Sequence, residues 1–125
     1  MKSRKPILAL LSRIRRLEQR RAELLESLLV PEPFLKASLS LVHRTCGKPN
    51  CHCARKPGHP AWVLATGSGA QRRCQVVRQA DREAVRERVE AYRGFRAAMR
   101  ELEAIADEEK NLLKGLMEQR HEPYE

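Results

Sequence analysis

Cys46-Gly47-Lys48-Pro49-Asn50-Cys51-His52-Cys53, with His59 six residues further on, gathers three thiols and two imidazoles into 14 positions. Gly47, Pro49, Pro57, Gly58 and Pro60 punctuate the stretch, so it reads as a loop-like knuckle and not as a regular element. The charged, helix-patterned segments on either side, 6–30 and 81–119, contain no cysteine. A small metal-held module presented by helices is the arrangement this predicts. The expected fold class is α+β, with two long helices pairing antiparallel in coiled-coil fashion around a knuckle and β-hairpin module at 34–78.

The bulk of the chain fits that picture. At 125 residues the length suits one domain. Only 4% of residues are aromatic while 33% are charged, so no thick globular core can form, and helices sharing an apolar seam suit the composition better. The net charge of +9 points to a polyanionic partner. That charge is not spread evenly. From Pro33 to Ala80 there is no Asp or Glu, and the span holds Lys36, Arg44, Lys48, Arg55, Lys56, Arg72, Arg73 and Arg78. The remaining 17 bases (25 less those eight) face all 16 acids, so the helices are nearly neutral and the middle is cationic. Three thiolates on one Zn²⁺ would trim the module to roughly +7.

The apolar run from Ile7 to Leu11 is broken by Arg13, far short of the ~20 residues a spanning helix needs, and it lacks a signal peptide's length and cleavage site. No membrane partner is expected and the cytoplasm is the expected compartment. Thiols are reduced there, and closely spaced cysteines favour metal over disulfides.

Taken in order, Pro6 suits the first turn of a helix. Ile7, Leu10, Ile14, Leu17, Leu24 and Leu28 then recur at spacings of three and four, interrupted only by Arg21, until Pro31 and Pro33 end the segment. Leu39, Leu41 and His43 alternate with Ser40, Val42 and Arg44, predicting a short strand that runs into the knuckle. Ala61 to Thr66 reads as a strand, Gly67-Ser68-Gly69 as a turn, and Arg72 to Arg78 as the returning strand of a hairpin. Asp81 is the expected cap of the last helix. With Val85 at heptad position a, Tyr92, Met99, Ala106 and Leu113 follow at a, and Phe95, Leu102, Glu109 and Leu116 at d. In an antiparallel pair partner numbers sum to a constant. Choosing 130 matches Ile14 with Leu116, Leu17 with Leu113, Leu24 with Ala106, Leu28 with Leu102 and Arg21 with Glu109, so the two charged exceptions meet. The first turns of the last helix, Val85 to Phe95, would cover the hairpin. A homodimer through the helices, with Arg21 and Glu109 on different chains, is the alternative.

For the metal, Zn²⁺ takes four ligands in a tetrahedron and favours thiolate and imidazole in structural sites. Cys46, Cys51 and Cys53 supply three, Gly47 offering the backbone freedom the return needs. His59 is the best fourth, since Pro57-Gly58 can fold it back. Cys74 on the returning strand is second choice, and His43 and His52 follow. The C-x4-C-x-C spacing differs from the paired CxxC of common zinc fingers. Three free cysteines in a basic loop, or an iron–sulfur cluster, remain the other readings.

Thr45 to Ala54, then His59-Pro60, an aromatic-bearing strand, a glycine turn, an Arg-rich strand and a long terminal helix, resemble a small bacterial and archaeal domain family of unknown function. That family's pattern is CGKPxCxCA, then HGPY and a hairpin rich in aromatics, Lys and Arg. It occurs in short proteins encoded by or near transposable elements and beside or fused to transposase-like proteins. The resemblance covers about Ser38 to Met99. It implies that Cys46, Cys51, Cys53 and His59 hold the recurrent positions, and it implies a mobile-element context. Two departures stand out. The HGPY region here is His59-Pro60-Ala61-Trp62, and the hairpin has few aromatics. Cys74 falls outside the motif.

The expected function is therefore nucleic-acid binding, with DNA preferred to RNA. Lys48, Arg55 and Lys56 around the knuckle would join Arg72 and Arg73 on the hairpin in one basic face, with Arg44 and Arg78 alongside. A two-stranded ribbon can enter a major groove and Arg can pair with guanine edges. The competing reading is a protein-interaction subunit of a transposase or recombinase whose metal is purely structural. An enzyme is not expected. The basic span has no carboxylate for acid–base or two-metal chemistry, and Gly67-Ser68-Gly69 lacks the Lys-Ser/Thr of a phosphate-cradling loop.

Overall fold

The computed structural model describes residues 4–45, 47–51 and 58–124. Their order is α1 (Lys5–Leu28), β1 (Ala37–Arg44), β2 (His59–Thr66), β3 (Arg73–Val76) and α2 (Arg82–Arg120), with short 3₁₀ turns at Gly69–Gln71 and Gln79–Asp81. The class is α+β: one three-stranded antiparallel sheet and two helices, of 24 and 39 residues. Two compact units divide the chain, one formed by 1–31 with 95–125 and the other by 32–94. No helix among the described residues is long and apolar enough to cross a membrane.

In the helical unit, Pro6 lies in the first turn of α1, where its missing N–H costs nothing. The helix stops at Leu28, and the Leu29 N–H still reaches the Leu25 carbonyl at 3.0 Å before Pro31 forbids another turn. The two helices are antiparallel. Arg13 donates to both carboxylate oxygens of Glu108, at 2.9–3.1 Å, and Arg20 does the same to Glu101. The buried core is Leu17, Leu24, Ala98 and Ile105, with Leu28, Leu102 and Leu112 packed on it.

This corrects the expected register. Both ion pairs join residues whose numbers sum to 121, and Leu10, which lies 3.7 Å from where a Gly115 Cβ would stand, gives 125; neither is 130. The α1 seam is the one expected, but α2 turns a different edge inward. Leu102, Glu109 and Leu116 stay on the seam but pass from d to a, and Ala98, Ile105 and Leu112 take the d places instead of Met99, Ala106 and Leu113, which are exposed. The ion pairs explain the choice. Arg13 and Arg20 each precede an a position of α1, and on the observed seam Glu101 and Glu108 occupy the same flanking position of α2. Such like-positioned flanks face each other only in an antiparallel pair.

The expected Arg21–Glu109 match is also displaced. Glu109 donates its carboxyl proton to Glu18, which raises its carboxyl above the ordinary range, and the Arg21 charge only partly opposes this. Because the folded value is the higher one, the shared proton stabilises the fold at acid pH and that contribution is lost as pH rises through the folded value. Glu109→Gln keeps a donor to Glu18 without the second charge. It should raise Tm modestly at neutral pH and leave it unchanged below the carboxylate range. Melting curves at the two pH values check this, and equal shifts at both would exclude the shared proton. Gly94 has no neighbour within 4 Å for an added methyl, so it is a weak point in α2 and not a close helix contact.

In the sheet unit, β2 is central. It pairs with β1 from Arg44↔His59 to Ala37↔Thr66 and with β3 from Val63↔Val76 to Thr66↔Arg73. The segment after α1 is thus a full strand on one edge of the sheet, and the expected two-stranded hairpin is the other half of a three-stranded one. Gly67, at φ +75°, closes the β2–β3 turn, where a Cβ would lie 2.5 Å from the Gln71 carbonyl oxygen. The first turns of α2 belong to this unit. The Arg88 carbonyl accepts the Leu35 N–H at 3.1 Å, the Phe34 and Tyr92 rings lie 5.4 Å apart, and the Arg82 guanidinium stands 5.8 Å over Trp62. Val63 and Val89 are its buried apolar side chains.

Candidate metal and nucleic-acid site

Strand β1 ends at Arg44 and the chain returns as β2 at His59, so the knuckle is the loop joining two paired strands. Its described part opens at Gly47, whose φ of +81° is the left-handed conformation glycine takes most easily. Lys48-Pro49-Asn50-Cys51 then forms a tight turn closed by the Cys51 N–H on the Lys48 carbonyl at 3.2 Å, with proline fixing the second position. The turn delivers the Cys51 sulfur to within 3.2 Å of His59 Nε2.

Gly58 makes the return possible. A Cβ there would stand 2.6 Å from the Arg44 carbonyl oxygen and 2.8 Å from its carbon, so only a residue without a side chain can pass this close to β1. Neither this contact nor the Arg82–Trp62 stacking is foreseen by the sequence reading. The Pro57-Gly58 pair signals a turn without saying which backbone it must clear.

Of the expected ligands, Cys51 and His59 are brought together, and Cys46 and Cys53 lie outside the described residues. Cys51 and His59 fit a zinc ion. Metal–sulfur and metal–nitrogen distances of about 2.3 and 2.0–2.1 Å at a tetrahedral angle put the two donors about 3.6 Å apart, so the observed pair need open by only a few tenths of an ångström. Cys74 is separated from them. It pairs with Ala65, six residues along β2 from His59, which at strand rise is about 20 Å away. His43, opposite Pro60, lies on the sheet face away from His59. Register along β2 therefore retires both as alternatives.

The basic residues form two groups and not the single face expected. Arg44 is the cross-strand neighbour of His59, and exposed Lys48 lies in the adjoining turn. Arg73 pairs with Thr66, seven residues away along β2 or about 23 Å, and on the opposite face from Arg44. Arg72 precedes it, and Arg78 follows β3 and accepts the Asp81 N–H on its carbonyl at 2.9 Å. All four residues of β3 are exposed, as are Arg72 and Arg78. Arg55 and Lys56 lie outside the described residues. Trp62 shares the Arg73 face, with one side of its ring under Arg82.

A family model described as a domain of unknown function (DUF6788) matches residues 7–87, from the start of α1 through the sheet into the first turns of α2. No curated protein and no solved structure matches the chain significantly.

Proposed function

The chain belongs to the DUF6788 family, and from that premise we propose that it is a small zinc-knuckle protein that binds nucleic acid, DNA in preference to RNA. The observation that carries the reading is β3: an edge strand exposed along its whole length, led by Arg72 and Arg73, in a 48-residue span without a carboxylate side chain. Nothing acidic in that span repels a phosphate backbone, and an exposed strand can follow a groove.

Zinc is part of the proposal. Cys51 and His59 would hold it with Cys46 and Cys53, and its chemistry here is cross-linking, not catalysis. The knuckle's work is to tie the ends of β1 and β2 so that the basic strands stand in fixed order. The family resemblance supports a further placement, as an accessory protein of a mobile element working beside a transposase or recombinase in the cytoplasm.

Filter binding of short duplex DNA at several salt concentrations tests the reading. A log–log slope of roughly −4 to −5 is expected if about five phosphates are neutralised. The double variant Arg72→Ala/Arg73→Ala should flatten that slope by about 2 and weaken binding on every sequence alike. Absence of salt-dependent binding would overturn the proposal in favour of a protein-interaction subunit.

A further inference from the structure

The seam that α2 turns toward α1 leaves a second apolar stripe beside it. Met99, Ala106 and Leu113 recur every seven residues and Met117 lies one turn beyond. Met99, Leu113 and Met117 are 53%, 52% and 62% exposed, and Ala106 is exposed as well. Ala106, Leu113 and Met117 form one wall of a groove whose other wall is Glu18 and Arg21 of α1. A helix face meant only for water has no use for large apolar residues at heptad spacing.

We propose that this stripe is a homodimer interface in which α2 packs antiparallel against α2 of a second copy, with Ala106 at the two-fold axis. In a two-fold contact, a residue that meets a given partner is met in turn by its own counterpart. Placing Ala106 on the axis therefore sets Met99 opposite Leu113 of the second copy and Leu113 opposite its Met99. Along the outer edge of the stripe, the same register brings Glu103 beside Lys110 of the second copy, and Lys110 beside its Glu103. Charge chooses this direction. A parallel pairing would set Glu103 on Glu103 and Lys110 on Lys110, whereas the antiparallel one gives two attractive pairs. The small side chain at the axis lets the two backbones approach. The energetic need is also visible, because among the described residues the helix pair within one chain has a buried core of just Leu17, Leu24, Ala98 and Ile105, and a four-helix bundle would add the stripe to that core.

Sedimentation equilibrium of the full chain at tens of micromolar should give about twice the 14.4 kDa chain mass. Ala106→Glu changes an exposed residue of the single chain but faces two carboxylates across the axis, so it should yield monomer with the helical far-UV signal retained. Glu103→Lys and Lys110→Glu should each weaken the dimer by about tenfold, and the double variant Glu103→Lys/Lys110→Glu should restore it. A chain that is monomeric at these concentrations overturns the proposal, even if some other protein is later found on the stripe. A dimer indifferent to Ala106→Glu, or a double variant no tighter than the singles, overturns it equally.

Discussion

Chelating the metal, or replacing Cys51 by serine, should unfold the sheet of residues 32–94 and leave the paired helices standing. Little else holds that unit together. Among the described residues its buried apolar side chains are Val63 and Val89, and every residue of β3 is exposed. Modules this small need a staple beyond their core, and a structural zinc supplies about 10–16 kcal/mol in finger peptides of comparable size. The helical unit does not share this dependence. It has its own core and two bidentate arginine–carboxylate pairs. The two responses can be read separately because Trp62, the single tryptophan, lies on the central strand under Arg82. Chelator, Cys51→Ser and His59→Ala should each shift Trp62 emission to the red and reduce bound zinc from about one per chain to less than about a tenth. Most of the helical far-UV signal should survive. Cys74→Ser, some 20 Å along the sheet from His59, should change neither. Protein purified without chelator that carries no zinc, or a Trp62 signal indifferent to its removal, would leave the knuckle without its metal.

The helices show what the sequence can and cannot say about such a fold. Ile7, Leu10, Ile14, Leu17, Leu24 and Leu28, the stripe read from the sequence of α1, are all buried or half-buried, while Leu8 beside them is exposed. α2 has two such stripes. Ala98, Ile105 and Leu112 form one line, and Met99, Ala106 and Leu113 form the next line around the helix. Side-chain size does not separate the lines, since Met99 outweighs Ala98 but Ile105 outweighs Ala106, yet Ala98 is 9% exposed and Met99 53%. The deciding terms are the charges that flank each candidate seam, with Glu101 and Glu108 placed to meet Arg20 and Arg13 only when the first line faces inward. A charge pattern of this kind is written in the sequence, but it acts only once a partner helix and a direction are assumed. Of the knuckle, the described residues show one contact between expected ligands, Cys51 with His59 at 3.2 Å, set up by the Lys48–Cys51 turn and the close return at Gly58. What spacing could not show was distance along the strands. Cys74 and Arg73 are near the knuckle in a simple sketch of a hairpin, and the observed register carries both to the far end of β2.

Gly58→Ala should be the most disruptive single methyl that can be added at the knuckle end of the sheet. What the glycine supplies here is a close approach of two backbones. It is there for space: the new carbon would lie 2.6 Å from the Arg44 carbonyl oxygen, 2.8 Å from its carbon and 3.1 Å from its nitrogen. All three atoms are backbone of the paired strand, so no side chain can swing aside and β1 or β2 must move. The Arg44↔His59 step of the ladder is where that movement falls, and His59 is carried off the Cys51 sulfur with it. A cost of about 3 kcal/mol is expected, at the upper end for overpacking. It should appear as a lower denaturant midpoint in Trp62 emission together with weaker zinc retention. Gly47→Ala is the comparison that isolates the cause. There φ is +81° and none of the described residues stands within 4 Å of an added Cβ, so the expected penalty is conformational, about 1–2 kcal/mol. The order of the two variants is thus set by space against backbone angle. A Gly58→Ala chain with the wild-type midpoint would mean that the Arg44 carbonyl stands elsewhere, and the path bringing His59 to Cys51 with it.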